Sequence, residues 1–225
     1  MELNEILKIA GVDGNSIVNC VYNIVKNNTK EDNIDIINEV EKSFLLTDDA
    51  ISDIISAERI GTIDLKTIFD LDVIYLEDTY KNNDVSIVLH STHYDEPYDD
   101  VCLKFKFTSN FSSDVRTKIK YHFETEGMNK VITYLEDNEI PMFNKVASVY
   151  KATTKDGKPF EFCYMQVKGL FIEFNYIEIE FSSMHDYQSF NFDEYFQFIN
   201  KKDVKDMSNN NIFRMEMLYR LFGTK

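Results

Sequence analysis

A chain of 225 residues with 39 acidic and 24 basic side chains carries a formal charge of −15. That sign disfavours direct binding to duplex DNA or to an anionic membrane, because either polyanion is repelled at long range. Hydrophobic residues make up 44% of the chain and no apolar run approaches the ~20 residues of a membrane helix, so a globular core is expected.

The opening MELNEILKIAG has neither a basic start nor a long apolar stretch, so no signal peptide is expected. Cys20, Cys102 and Cys163 are widely spaced and odd in number, which suits a reducing cytoplasm better than a disulfide or zinc framework. No cofactor pattern stands out. Richness in Asn, Lys and Ile suggests a low-GC genome, such as that of a mobile element.

From Glu2 to Leu71 the pattern reads as helical. Leu3, Ile6, Leu7 and Ala10 form one stripe, and Ile17, Val21, Ile24 and Val25 a second. Ile34, Ile37, Val40, Phe44 and Leu45 form a third, Ile51, Ile54 and Ile55 a fourth behind Thr47, and Leu65, Ile68 and Phe69 a fifth behind Thr62. Spacings of three and four with Ser, Thr, Asp or Asn starts are those of a compact bundle. Residues 1–71 are therefore expected to form an acidic helical lobe, and 72–225 an α+β domain.

Thr29-Lys-Glu-Asp and the run Asp48 to Ile60 resemble the second and recognition helices of phage-repressor-type helix-turn-helix regulators. The resemblance implies a DNA reader, yet Asp48, Asp49 and Asp53 stand where phosphates and base edges need donors. The first eighty residues hold six bases and seventeen acids, a net charge of −11.

After Val73 the period changes to two. Val73–Leu76 and Val85–Leu89 read as short strands. The loop HSTHYDEPYDD offers metal-ligand types in His90, His93, Asp95, Glu96, Asp99 and Asp100, but a strand would point His90 and His93 to opposite faces, so a solvated acidic loop explains it better and no metal site is expected. In 101–109 the residues Val101, Leu103, Phe105 and Phe107 alternate with polar ones, and in 115–124 Val115, Ile119, Tyr121 and Phe123 do the same. Two antiparallel strands are expected there, with one buried and one wet face. The wet face carries Lys104, Lys106, Arg116, Lys118 and Lys120. Those cations could hold a phosphate backbone, or simply pair across strands with acids such as Glu178 and Glu180.

A helix is expected over Met128–Leu135 and an extended run over 144–154. Asp156-Gly157 signals a hairpin returning through 159–168, and 171–181 is the last expected strand. Closing helices fit 192–200 and 210–222. The predicted fold class is α+β: an N-terminal helical lobe, then an antiparallel sheet with one inserted helix, then C-terminal helices. Asp156, Gln166 and Lys168 resemble the metal-dependent nuclease family with a PD-(D/E)xK core, which would imply Mg²⁺ held by Asp156 and Gln166. His185-Asp186 is a weaker candidate, and no phosphate loop or nucleophile elbow is present.

The segregated acidity favours a non-enzymatic role. The chain is expected to be an acidic interaction module or inhibitor that mimics nucleic acid and engages a partner protein's basic, nucleic-acid-binding surface. The docking residues would be Glu39 and Glu41 on the third helix and Asp48, Asp49, Asp53 and Glu58 on the fourth. A helix-turn-helix regulator and a nuclease-like enzyme are the alternatives.

Overall fold

A computed structural model of the chain describes residues 17–27, 34–75, 85–93, 100–109, 112–140, 143–168 and 173–207. In chain order the elements are α1 (Ile17–Lys26), β1 (Ile34–Leu46), α2 (Asp48–Arg59), β2 (Asp64–Tyr75), β3 (Val85–His93), β4 (Asp100–Ser109) and β5 (Ser112–His122). They continue as α3 (Thr125–Asp137), β6 (Phe143–Thr153), β7 (Pro159–Lys168), β8 (Phe174–Glu180), α4 (Met184–Ser189), α5 (Phe192–Tyr195) and β9 (Val204–Asp206).

The strands form one antiparallel sheet in the order β5-β4-β3-β2-β6-β7-β8-β1-β9, and β5 pairs again with β1. That last pairing joins the two ends of an eight-stranded run, with β9 as an addition on β1. β1 makes the joint by sharing its length. Ile34 to Val40 pair with Tyr121 to Val115 of β5, while Glu41 to Leu45 pair with Glu180 to Tyr176 of β8. Closure removes open edges and divides every strand into an outer and an inner face.

The helices show which face is outer. α1 and α3 pack Val21, Val25, Met128, Val131 and Leu135 on Val101, Leu103, Phe105 and Ile119 of β4 and β5. Around the barrel, α2 and the segment from α4 to Ile199 pack Ala50, Ile54, Phe192 and Phe196 on Phe44, Tyr150, Phe162, Ile177 and Ile179. Phe162 stacks on Tyr150 with ring centroids 5.4 Å apart and meets Phe196 edge-on at 5.2 Å. The alternate residues point inward. On β2, β6, β7 and β8 these include Leu71, Ala147, Met165, Val167 and Tyr176, a separate apolar cluster inside the barrel.

The expected helical lobe over 1–71 is corrected. The second and fourth expected helices exist as α1 and α2, the latter capped by Thr47, whose hydroxyl accepts from Ala50 N–H. The third and fifth are strands β1 and β2, and β2 runs across residue 71. A spacing of four fits a helix turn but is also twice the strand period, so Val40 and Phe44 satisfy both. The β-branched run Ile34, Ile36, Ile37 and Val40 favours the strand. With β1 where a partner helix would stand, the helix-turn-helix resemblance fails.

β4 and β5 lie where period two put them, but their cationic face is the barrel interior and not an outer wet surface. The closing helix at 192–200 is helical only over Phe192–Tyr195. The first stripe, Leu3–Ala10, and the helix at 210–222 lie outside the described residues. No helix among the described residues is long and apolar enough to cross a membrane.

Phe162→Ala should cost about 3–5 kcal/mol in urea unfolding, since the ring is buried among four aromatic neighbours. Ile60→Ala, at a residue 76% exposed, should change stability by no more than about 0.5 kcal/mol.

Candidate functional site: a charged barrel interior

The register brings like charges face to face. Lys104 lies opposite Lys120 and Lys106 opposite Lys118, with Arg116 one step along beside Thr108. Such cross-strand pairs repel one another, so a compensating charge is needed nearby. β1 supplies it from the other edge of β5, where Glu39 lies opposite Arg116. Beyond β1, Glu41 faces Glu180, and Ser43 faces Glu178 of β8. One wall of the interior is therefore cationic (β4, β5) and the next is carboxylate-rich (β1, β8). Further round lies the apolar cluster, where Lys145 Nζ donates to Tyr176 Oη at 3.0 Å.

Side-chain contacts join the two charged walls. Glu39 is ion-paired to Lys118, and Lys106 Nζ stands 3.4 Å from Glu39 Oε2. Arg116 reaches Glu41 at 3.9 Å, and His122 Nε2 lies 3.0 Å from Asp35 at the start of β1. Glu39 is only 4% exposed, against 21% for Lys106, 15% for Arg116 and 12% for Glu41. The interior thus admits some water while enclosing Glu39.

The titrations follow from this enclosure. Burial opposes ionisation of Glu39, but Lys106, Lys118 and Arg116 outweigh it and hold the carboxyl at about 2. Glu178 is pushed up to about 8 by burial and then by Glu41 and Glu39, and Glu41 is raised by burial and by Glu39. Lys104 is driven down to about 7, chiefly by burial, with Lys118, Lys106 and Lys120 adding repulsion. Lys106 is buried too, yet Glu39 and Glu41 raise it above the ordinary lysine value. Burial pushes the Cys163 thiol on β7 up to about 12, so it is a poor nucleophile.

Glu39, Glu41 and Glu180 each offer a carboxylate oxygen, all within 4.8 Å of one another. Glu39 Oε2 is buried and accepts no hydrogen bond. A buried carboxylate oxygen that accepts no hydrogen bond, with only the Lys106 ammonium at 3.4 Å beside it and two further carboxylates near, fits a hard divalent cation, Mg²⁺ or Mn²⁺, which prefers oxygen donors.

The sequence-predicted sites redistribute. All five expected basic residues come together, and their partners are Glu39 and Glu41, which were expected on an outer helix. Asp48 and Asp49 are exposed in the first turn of α2. Asp53 accepts from Asn200 N–H at 3.3 Å, tying α2 to the segment after α5, and Glu58 accepts from Tyr150 Oη of β6 at 2.9 Å, tying α2 to the barrel. With Glu39 and Glu41 inside, the acidic docking face is dismantled, and the inhibitor reading falls with it.

The nuclease resemblance also fails. Asp156 sits in the turn before β7, with Gly157 at φ +86°, and its carboxylate is bound by Thr154 and Lys158. Gln166 and Lys168 lie seven and nine residues beyond the start of β7 at Pro159, roughly 23 and 30 Å along the strand from the turn. His90 and His93 fall within β3, not in a loop. His185 is exposed, and Asp186 accepts from Ser182 and Ser183. Glu178 and Glu180, expected to point outward and only as pairing partners of the cations, lie on the inner face of β8, with Glu180 at its exposed end, and Lys145 is an interior residue outside the expected site. Their signal was parity, since Glu178 and Glu180 alternate with Ile177 and Ile179.

No protein-family profile matches this sequence, and no curated protein does. Solved structures do resemble it. The PH1012 protein from Pyrococcus horikoshii OT3 superposes with a TM-score of 0.50 at 13% identity, over 74% of this chain and 94% of that one. A conserved hypothetical protein from Pyrococcus furiosus gives 0.49 at 14% identity over 74% and 94%. The inorganic triphosphatase NE1496 gives 0.44 at 14% identity over 81% and 94%. The first likeness shows a shared fold.

Folded Glu178 keeps its proton to about 8, whereas in the unfolded chain it ionises near its ordinary 4.5. The folded state therefore binds more protons in that window, and stability falls as pH rises through it. Lys104 acts oppositely above about 7, where the unfolded chain is the more protonated. Thermal melts from about pH 5 to pH 8 should show a decline in Tm that is shallower in Glu178→Gln.

Proposed function

We propose that this chain is a divalent-metal-dependent hydrolase of phosphoanhydrides, acting on tripolyphosphate or on the triphosphate end of a small molecule. The observation that carries the reading is the closed barrel whose interior sets the Lys104, Lys106, Arg116, Lys118 and Lys120 wall beside Glu39, Glu41, Glu178 and Glu180. A globular protein has no structural need to enclose five cations. A linear polyanion gives them a purpose.

Lys106, Lys118 and Arg116 are placed to take the phosphoryl oxygens nearest the carboxylates, and Lys104 and Lys120 extend the track along the two strands. Fixed cations in an enclosed interior stabilise charge on a transferring phosphoryl group without reorganising as the reaction proceeds. Glu39, Glu41 and Glu180 would hold the metal ion, which supplies Lewis-acid neutralisation of phosphate charge when bound. The surrounding wall limits water and strengthens each of these interactions.

Purified protein with Mg²⁺ or Mn²⁺ should release phosphate from tripolyphosphate, and Lys118→Met should lower kcat/KM by about 10²–10³-fold. No phosphate release from tripolyphosphate or from nucleoside triphosphates with either metal would sink the reading.

Lys104 loses its charge above about pH 7, so its contribution to anion binding fades as pH rises. By calorimetry, the wild-type affinity advantage over Lys104→Met for tripolyphosphate should shrink between about pH 6 and pH 9. An advantage independent of pH would place Lys104 outside the track.

A further inference from the structure

We infer that Glu39 is a built-in occupant of the anion track. In the resting protein its carboxylate, with that of Glu41, holds Lys106, Lys118 and Arg116, and the cations are released to a polyphosphate when a divalent cation takes the carboxylates. This rests on the polyphosphate reading and adds an internal brake to it.

The contacts are those of a competitor already in place. Glu39 pairs with Lys118 and lies 3.4 Å from Lys106, and Glu41 is 3.9 Å from Arg116. A phosphate approaching these three cations must displace two carboxylates that lie on the neighbouring strand and cannot diffuse away. The carboxylates that hold the cations are also the ones grouped within 4.8 Å for a metal ion, and one of them has a buried oxygen with no hydrogen bond. One set of oxygens therefore serves either the lysines or the metal. Whatever neutralises Glu39 and Glu41 frees the cations, so metal and anion favour each other's binding by the same factor. In the metal-free interior Lys106, Lys118 and Arg116 stay engaged by Glu39 and Glu41, so stray anions are taken up poorly.

Removing the carboxylate should then strengthen anion binding in the absence of any metal, the reverse of what loss of a purely structural residue does. Tripolyphosphate binding is measured by calorimetry in excess EDTA for wild type, Glu39→Gln and Glu180→Gln. Glu39→Gln should bind about tenfold or more tightly than wild type, the scale of close charge-pair coupling, and its affinity should fall more steeply with salt. Glu180, whose carboxylate is not paired with Lys106 or Lys118, controls for simple loss of negative charge, and Glu180→Gln should change affinity little.

If Glu39→Gln binds no tighter than wild type, or Glu180→Gln tightens binding as much, the inference is overturned. Should Glu39→Gln fail to fold by circular dichroism, Glu41→Gln carries the same test through Arg116, with the same two outcomes. If wild type neither binds nor hydrolyses tripolyphosphate with Mg²⁺ or Mn²⁺, the polyphosphate reading itself falls. Metal-dependent activity without the tightening removes the brake alone.

Discussion

The pairing of β1 with β5 is the constraint on which the rest depends. Seven residue pairs, from Ile34 opposite Tyr121 to Val40 opposite Val115, convert a long sheet into a barrel. They also set Glu39 opposite Arg116. In an open sheet the β5 cations would face water, where charges this close repel by little and need no partner. Closure encloses them, raises the cost of leaving them unpaired, and delivers the carboxylates that meet the cost in the same step. Fold and site are thus one event. A one-residue slip between β1 and β5 would turn Glu39 and Glu41 outward and bring Val40 into the charged wall.

An interior of this kind is a compromise between stability and use. A lysine held down at about 7 and a glutamate held up at about 8 both record charge disfavoured by the folded state. An apolar lining of the same volume would avoid the cost, as the cluster of Leu71, Ala147, Met165, Val167 and Tyr176 does on the remaining strands. The chain invests its packing outside instead, in two helix-on-barrel clusters that include Phe105, Phe162 and Phe196, each almost fully buried. A strained polar interior inside a well-packed shell is the arrangement expected where binding has been favoured over stability.

Local features of the sequence read well because their causes are local. The 101–124 hairpin follows from parity, α2 from Thr47 and the Ile51–Ile55 spacing, and the 156–157 turn from Asp-Gly. β1 was misread because Ile34, Ile37, Val40 and Phe44 include helical spacings, and Glu39 and Glu41 went with them onto a helix face. Parity alone would have put Glu39 and Glu41 on one face and Val40, Phe44 and Leu46 on the other, which is what β1 does. Closure was not legible at all. β1 and β5 meet across a separation of about eighty residues, and no short-range signal marks Ile34 as the neighbour of Tyr121. Parity therefore puts the five cations on one face, but it tells neither that Glu39 and Glu41 meet them nor on which side of the wall they stand.

Net charge misled for a related reason, since a count of charges carries no information about where they point. A chain of −15 looks unable to receive a polyanion, and −11 in its first eighty residues looks like an acidic surface. Yet Glu39 and Glu41 line the interior, Glu58 binds α2 to the barrel, and Asp53 binds it to the segment after α5. Charges on the outer surface act through water, where salt screens them within about 8 Å at physiological ionic strength. Charges inside act at contact range through a weaker dielectric. On the proposed reading, the potential met by an anion that enters is set by whether Lys106, Lys118 and Arg116 are held by Glu39 and Glu41 or released from them. The surface acidity then governs the approach, and the interior pairing the binding.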